Sequence, residues 1–312
     1  MKKASLLLSV FLICVALHAQ TPPTDVKIND LNVPTAPAFV LMDQSPASIE
    51  KPTNPKALTV SLFNLLQGGA VEFTPYWFKN HPAYKFSDYF KKVSPISETF
   101  ALSAASFKKD TISMVAGGFR TQLLRLYSAK AQKESRRIED SVAPILLADL
   151  NLKALDSLKL AITAMKSKPV LNIELAGAYM GQATSFKSLA AVKTGAWLNI
   201  RWTPYKFPLD IMGLARYSRA VAPAKTGQDS VFFDYGLSLA YQEKNFDISF
   251  EFVNRRDIHA KSDYHRLALV ANYQVTDGII IVASAGKDFS AVNNVLAVFG
   301  VKFGLSKEKA TL

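Results

Sequence analysis

The chain has 312 residues, 49% of them apolar, a formal net charge of +12 and a mean hydropathy of only +0.10. That balance is too polar for a helical membrane protein, and beyond the N-terminus no stretch approaches the roughly 18 apolar residues a spanning helix needs. A single cysteine, Cys14, excludes a disulfide framework.

The N-terminus reads as a secretory signal peptide over residues 1–19. Lys2 and Lys3 form its basic region, Leu6 to Leu17 its short apolar core, and Leu17-His18-Ala19 before Gln20 its cleavage site. Leu12 and Ile13 precede Cys14 where lipid attachment would need small residues, so cleavage leaves a mature chain without thiol chemistry. Nucleic acid is not expected as a partner, because the chain is exported and carries no recognition motif.

Residues 20–56 form a leader punctuated by Pro34, Pro37, Pro46, Pro52 and Pro55, which prevent regular strand or helix for most of its length. Ile28, Leu31, Val33, Phe39, Val40 and Leu41 recur within it, so its composition is not that of a free linker. The preferred reading places it in the periplasmic mouth or lumen of a barrel formed by the rest of the chain; a periplasmic protein partner is the alternative.

From Ala57 onward, apolar and polar residues alternate. Val231, Phe233, Tyr235, Leu237, Leu239 and Tyr241 stand against Phe232, Asp234, Gly236, Ser238, Ala240 and Gln242, and Phe246, Ile248, Phe250 and Phe252 continue the pattern. A strand turns successive side chains to opposite faces, so each segment has a face for lipid and a face for water. Such a sheet must close, since an open edge in hydrocarbon leaves backbone groups unsatisfied. Strands are predicted at 57–67, 70–78, 99–108, 111–127, 169–181, 187–203, 208–221, 230–243, 246–257, 264–275, 278–288 and 294–306. The fold class is therefore an all-β, antiparallel, up-and-down transmembrane barrel of about twelve strands over 57–306, followed by a C-terminal tail, 307–312.

Two stretches break the strand rhythm. Residues 83–93 carry Phe86, Tyr89, Phe90 and Val93 between lysines, which suits a helix on the membrane interface or one packed on the barrel rim. The insert 128–168 reads as helical, with Leu152, Leu155, Leu158, Ile162 and Met165 near one face. Short turns at 203–207, 243–245 and 276–278 alternate with longer links at 221–230, 258–263 and 288–293. In outer-membrane barrels the short turns are periplasmic, which sends the insert to the periplasm as well. There it would cap the barrel, dock a partner or extend into solvent. The lysine clusters at 79–109 and 130–137 suit anionic head groups or a solvated surface.

The inward faces carry both signs of charge in near balance. Lys193, Arg201, Arg216, Asp234, Glu251, Arg255, Arg266 and Lys302 are the expected lumen-lining residues, either filtering solutes or pairing across a narrow bore. Trp202, Tyr205, Phe207, Tyr241, Phe246 and Tyr273 gather at the periplasmic rim as an aromatic girdle. No enzyme is expected. Ser262, with His259, His265, Asp257 and Asp263 nearby, is the only group holding all three residue types of a hydrolase, and it lacks the spacing of such a motif. No metal-ligand spacing, phosphate loop or dinucleotide fingerprint is present, so no cofactor is expected.

The phenylalanine-rich last strand resembles the C-terminal signature of outer-membrane barrels, although Lys307 to Leu312 run past it. The chain from Ala57 onward resembles the porin-like outer-membrane barrels of Gram-negative bacteria, and Val33-Pro34-Thr35-Ala36-Pro37-Ala38-Phe39 and Ile49-Glu50-Lys51-Pro52 resemble the leaders of uncharacterised exported barrels. The resemblance implies a place in outer-membrane lipid. The functional expectation is a narrow channel for small solutes; the alternative is a non-conducting assembly component docking a periplasmic partner through its insert.

Overall fold

The computed structural model describes residues 25–27, 33, 35–43, 45–54, 56–63, 68–79, 81, 83–109, 112–142, 144–145, 152–166, 168–183, 189–204, 209–221, 229–243, 245–276, 278–289, 295–305 and 309–311. The signal peptide, Cys14, Tyr205 and Phe207 lie outside the described residues. Strand β1 (Asp25–Lys27) precedes the barrel. The barrel itself is β2 (Leu58–Phe63), β3 (Gly68–Phe73), β4 (Ala101–Lys109), β5 (Ile112–Leu126), β6 (Leu171–Ala183), β7 (Ala190–Trp202), β8 (Leu209–Ala220), β9 (Ser230–Glu243), β10 (Phe246–Asp257), β11 (Ser262–Thr276), β12 (Ile279–Lys287) and β13 (Val295–Leu305). Strand β14 (Lys309–Thr311) follows and pairs antiparallel with β1, so the tail after the barrel holds the start of the leader.

Every barrel strand pairs antiparallel with its neighbours in sequence, and β13 closes on β2 with Gly300 opposite Phe63 and Leu305 opposite Leu58. Closure removes both edges, which is what a sheet in hydrocarbon requires. The result is inverted relative to a water-soluble protein. Tyr235, Leu237, Leu239, Phe250, Phe252, Leu269 and Phe299 are exposed, while Arg120, Arg201, Arg216, Asp234, Glu251 and Arg266 are buried. Large apolar side chains cover the outside of the wall and ionised ones cover the inside, the division that a lipid solvent imposes.

Two departures from the strict alternation have local causes. The second strand ends at Phe73 instead of running to residue 78, because Pro75 lacks an amide donor and opens a 3-10 turn over Pro75–Phe78. In β5 the pairing with β6 slips between Gln122 and Leu124. That bulge reverses the side-chain parity, so Arg125, placed on the lipid face by simple alternation, turns inward and is buried.

The up-and-down order places the start of β2, the end of β13 and both long connections, 74–100 and 127–170, at one end of the barrel. There they pack together. Phe86, Tyr89 and Phe90 share an apolar cluster with Trp77, Tyr84, Tyr127, Ile138 and Ile162. The Phe86–Lys91 helix is thus buried at the rim and not laid on the membrane interface. Trp202, Phe246 and Tyr273 are exposed at this same end.

Candidate functional site

The lumen is filled by the leader. Residues 35–42 and 45–46 are buried, as are 48–50. Helix α1 (Pro37–Leu41) begins with a proline, whose missing amide costs nothing in the first turn. All five of its residues are buried. It lies against β3 to β7, whose inward residues include a run of small ones, Gly68, Ala70, Ala105, Ala116, Gly118, Ala176, Ala178 and Gly195. The fit is close enough to require them. A Cβ on Gly118 would stand 2.9 Å from the Ala38 amide nitrogen, and one on Gly195 would stand 3.0 Å from Leu41 Cδ1. The Phe39 ring packs at 5.1 Å from the ring of Phe63 on β2, and the Ala38 amide donates to Ser103 Oγ at 3.3 Å.

The following turn, residues 43–51, meets the charged side of the wall. Asp43 receives Lys193 Nζ from β7 at 2.5 Å and Arg255 Nη2 from β10 at 3.0 Å, with Arg216 Nη2 from β8 at 3.8 Å. Arg216 and Arg255 both also bind Asp234 on β9, at 2.5 and 2.9 Å. Glu251 accepts the backbone amides of Ser48 and Ile49 at 3.0 and 3.1 Å, while Arg266 bonds Glu251 and the carbonyls of Ser45 and Pro46. Lys51 reaches Asp210 at 2.6 Å, and Arg201 holds the same carboxylate at 2.9 Å. Glu50 accepts the Thr35 amide and the Ser45 hydroxyl, which closes the leader on itself. A void of about 40 Å³, bordered by Val33, Glu50, Lys51, Asp247 and Lys302, remains between leader and wall. It has room for roughly three waters.

The leader leaves the lumen beside the helical end. Gln122 donates to the Thr53 carbonyl and Asn172 to that of Pro52. Arg125 donates to Asn54 Oδ1 at 2.6 Å and to the Tyr89 carbonyl at 3.2 Å, and its guanidinium lies 4.0 Å from the centre of the Tyr89 ring. Tyr89 in turn accepts from Asn54 at 2.7 Å. Glu139 accepts the Ser87 amide at 2.7 Å, fastening the insert to the 74–100 connection.

Of the eight residues expected at the lumen, Arg201, Arg216, Asp234, Glu251, Arg255, Arg266 and Lys302 are buried and the Lys193 side chain is 11% exposed. Lys193, Arg255 and Glu251 bind the leader, Lys302 donates to the Val33 carbonyl, and Arg266 holds both leader and wall. Arg216, Asp234 and Arg201 pair chiefly with neighbouring strands. Sequence reasoning passed over Asp43, Lys51 and Arg125. The first two lie in an irregular segment without periodicity to aim them, and the third depends on the bulge. The Ser262 group does not assemble: its hydroxyl bonds Tyr264 at 3.2 Å, His259 Nδ1 bonds the Asp229 carbonyl, and His265 stacks on Phe252. No metal-binding group of three His, Cys, Asp or Glu occurs among the described residues.

The fold is a closed, antiparallel, twelve-stranded β-barrel. No family model and no curated protein matches the chain. Among solved structures, a KdgM porin is similar at a TM-score of 0.42 and 10% identity, over 80% of this chain and 98% of that one. The outer membrane protein Omp33 of Acinetobacter baumannii is similar at 0.34 and 11%, over 80% and 95%. An anion-selective porin from Comamonas acidovorans is similar at 0.31 and 11%, over 81% and 78%. Likeness at this level carries nothing about what the lumen transmits.

Proposed function

We propose that the protein is an outer-membrane channel of a Gram-negative bacterium, closed at rest by residues 33–56 and conducting small solutes once they leave the lumen. The observation that supports it is the chemistry of the wall behind the leader. A bore that needed only filling is served as well or better by packed apolar side chains, since buried ion pairs are often neutral or unfavourable relative to them. Here the wall facing residues 43–51 carries Lys193, Arg216, Asp234, Glu251, Arg255 and Arg266, all of which water hydrates readily if the leader departs. Deleting residues 21–50 and recording in planar bilayers tests this. The expected result is a closed full-length protein and a conducting deletion. A deletion that folds, judged by heat-modifiable gel mobility, yet passes no current overturns the reading.

The alternative is a non-conducting assembly component whose insert docks a periplasmic protein. It is favoured by the outer surface of the insert, where Leu160 is 73% exposed and Lys130, Lys133, Arg136 and Arg137 are also exposed. Photo-cross-linking from residues 129–166 in cells tests it; the absence of any periplasmic neighbour overturns it.

A further inference from the structure

The contact around Asp43 has the form of an occupied ligand site. Three cations from three strands, Lys193, Arg216 and Arg255, converge on one carboxylate that belongs to the removable leader and not to the wall. Arg255 meets it with two nitrogens, Nη2 on Oδ1 at 3.0 Å and Nη1 on Oδ2 at 3.4 Å, the forked geometry that suits an oxyanion. The guanidinium is held for this contact from behind. Asp234 takes Nε at 2.9 Å, and the Phe289 ring lies 3.9 Å from its carbon. Without Asp43, the wall would present three cations against the single carboxylate of Asp234.

The backbone carries a second observation. Asp43 follows the C-terminal end of α1 with φ of 56°, in the left-handed region where glycine is the residue of lowest cost. Aspartate is among the few side chains that tolerate that conformation, and here its carboxylate faces the cations. The site also opens outward. Lys193 lies near the start of β7 and Arg216 near the end of β8, both towards the barrel mouth opposite the helical end, and the Asp43 side chain is 26% exposed.

We infer that Asp43 is a built-in stand-in for a small anionic solute: Lys193, Arg216 and Arg255 form an oxyanion site, and a carboxylate- or phosphate-bearing solute arriving at the mouth opposite the helices competes with Asp43 for it. The inference rests on the channel reading for its purpose, but its binding chemistry is testable without conductance. Asp43→Gly keeps the left-handed turn and removes the carboxylate. Asp43→Asn is the second variant, close in size and also tolerant of that backbone.

The test is titration calorimetry of the full-length protein in detergent with malonate and, separately, with inorganic phosphate, after gel mobility has shown each variant folded. Both Asp43 variants are expected to bind at least one of the two anions about tenfold more tightly than the parent, and adding Lys193→Gln or Arg255→Gln is expected to abolish the gain. Tighter malonate than phosphate assigns a carboxylate solute, and the reverse assigns a phosphate. Equal binding by parent and both Asp43 variants overturns the inference, as does a gain that survives loss of Lys193 and Arg255. If the variants bind anions but the 21–50 deletion passes no current, the channel reading fails while the site stands. If the deletion conducts and no variant binds, only the site fails.

Discussion

The two sides of the lumen hold the same leader by opposite means. Where α1 lies on β3 to β7, glycines and alanines make room for it, and it packs there through Phe39, Val40 and Leu41 without ionic contact of its own, while Glu72, Arg120 and Glu174 pair elsewhere on the same strands. On β7 to β11 the turn after α1 meets arginine, lysine, aspartate and glutamate through hydrogen bonds and ion pairs, with Ile49 packed among Met212, Val253 and Val270. The first contact is lost to water at a cost, roughly 1.5–3 kcal/mol for each large apolar side chain exposed. The second contributes about 1.5–3 kcal/mol net for each hydrogen bond to a charged group, and each such bond has one donor and one acceptor position. The small-residue side therefore seats the leader by shape, and the charged side sets its register.

Overfilling the small-residue side should break this division most severely. Gly118→Leu forces a side chain into space where a Cβ already meets the Ala38 nitrogen at 2.9 Å and the Gly177 carbonyl oxygen at 3.0 Å. Backbone atoms cannot yield as a flexible side chain can, so α1 is expected to leave the groove. The expected outcome is a barrel that is open in bilayers and whose leader is cut by added protease within minutes. An intact leader would show that the charged side alone holds it.

Phe39→Ala comes next. Truncating a fully buried phenylalanine costs about 3–5 kcal/mol, and here the loss falls on a segment of five helical residues. Protease access to the leader is expected to rise by two orders of magnitude or more, with the barrel's own thermal transition unchanged. A fall in the barrel's transition would mean that leader and wall unfold as one unit.

Glu251→Gln probes the charged side and should do less. It weakens the acceptor of two leader amides and leaves Arg266 with its carbonyl contacts and a more distant Asp288. An unpaired buried cation would cost about 3–5 kcal/mol, but the glutamine oxygen can still accept and Arg266 keeps the carbonyls of Ser45 and Pro46. An effect of about 1.5–3 kcal/mol on leader protection is expected. An effect larger than that of Phe39→Ala would invert the ranking of the two sides.

The contrast also marks how far the sequence was legible. Alternation gave all twelve strands, the closing pair and the inward position of Arg216, Glu251 and Lys302, because the period of two is imposed by the strand itself and lipid enforces it on every turn of the chain. Arg125 escaped because one inserted residue in β5 reverses parity without leaving a mark on composition. The leader's apolar residues hinted at packing, yet nothing in a proline-broken segment states which side chain meets which wall. Asp43 is placed by a helix of five buried residues and one left-handed turn, neither of which has a periodicity to read. The purpose of the small residues at 68, 118 and 195 was not read from the sequence and appears only when the leader is set against them.

The smallest expected effect concerns the helical end, and it asks whether that end adds a third hold on the leader. Tyr84 is buried and donates to Glu98 Oε2 at 2.9 Å, and the same carboxylate lies 3.9 Å from Arg125, which binds Asn54 as the leader exits. Burial raises the ionisation of the Tyr84 hydroxyl well above its ordinary range, and the neighbouring Glu98 charge raises it further. A group whose folded value is raised gives stability that is complete below its unfolded value, about pH 10, and that is lost as pH rises past it. The helical end is thus expected to hold through pH 9 and loosen above about pH 10, exposing residues 52–56 to protease in that window alone. Tyr84→Phe removes the titrating group, so the same protection should start slightly lower and lose part of its alkaline dependence. If the variant and the parent share one alkaline profile, Tyr84 does not set the stability of that end, and the leader is held by the two sides of the lumen and not by the cap.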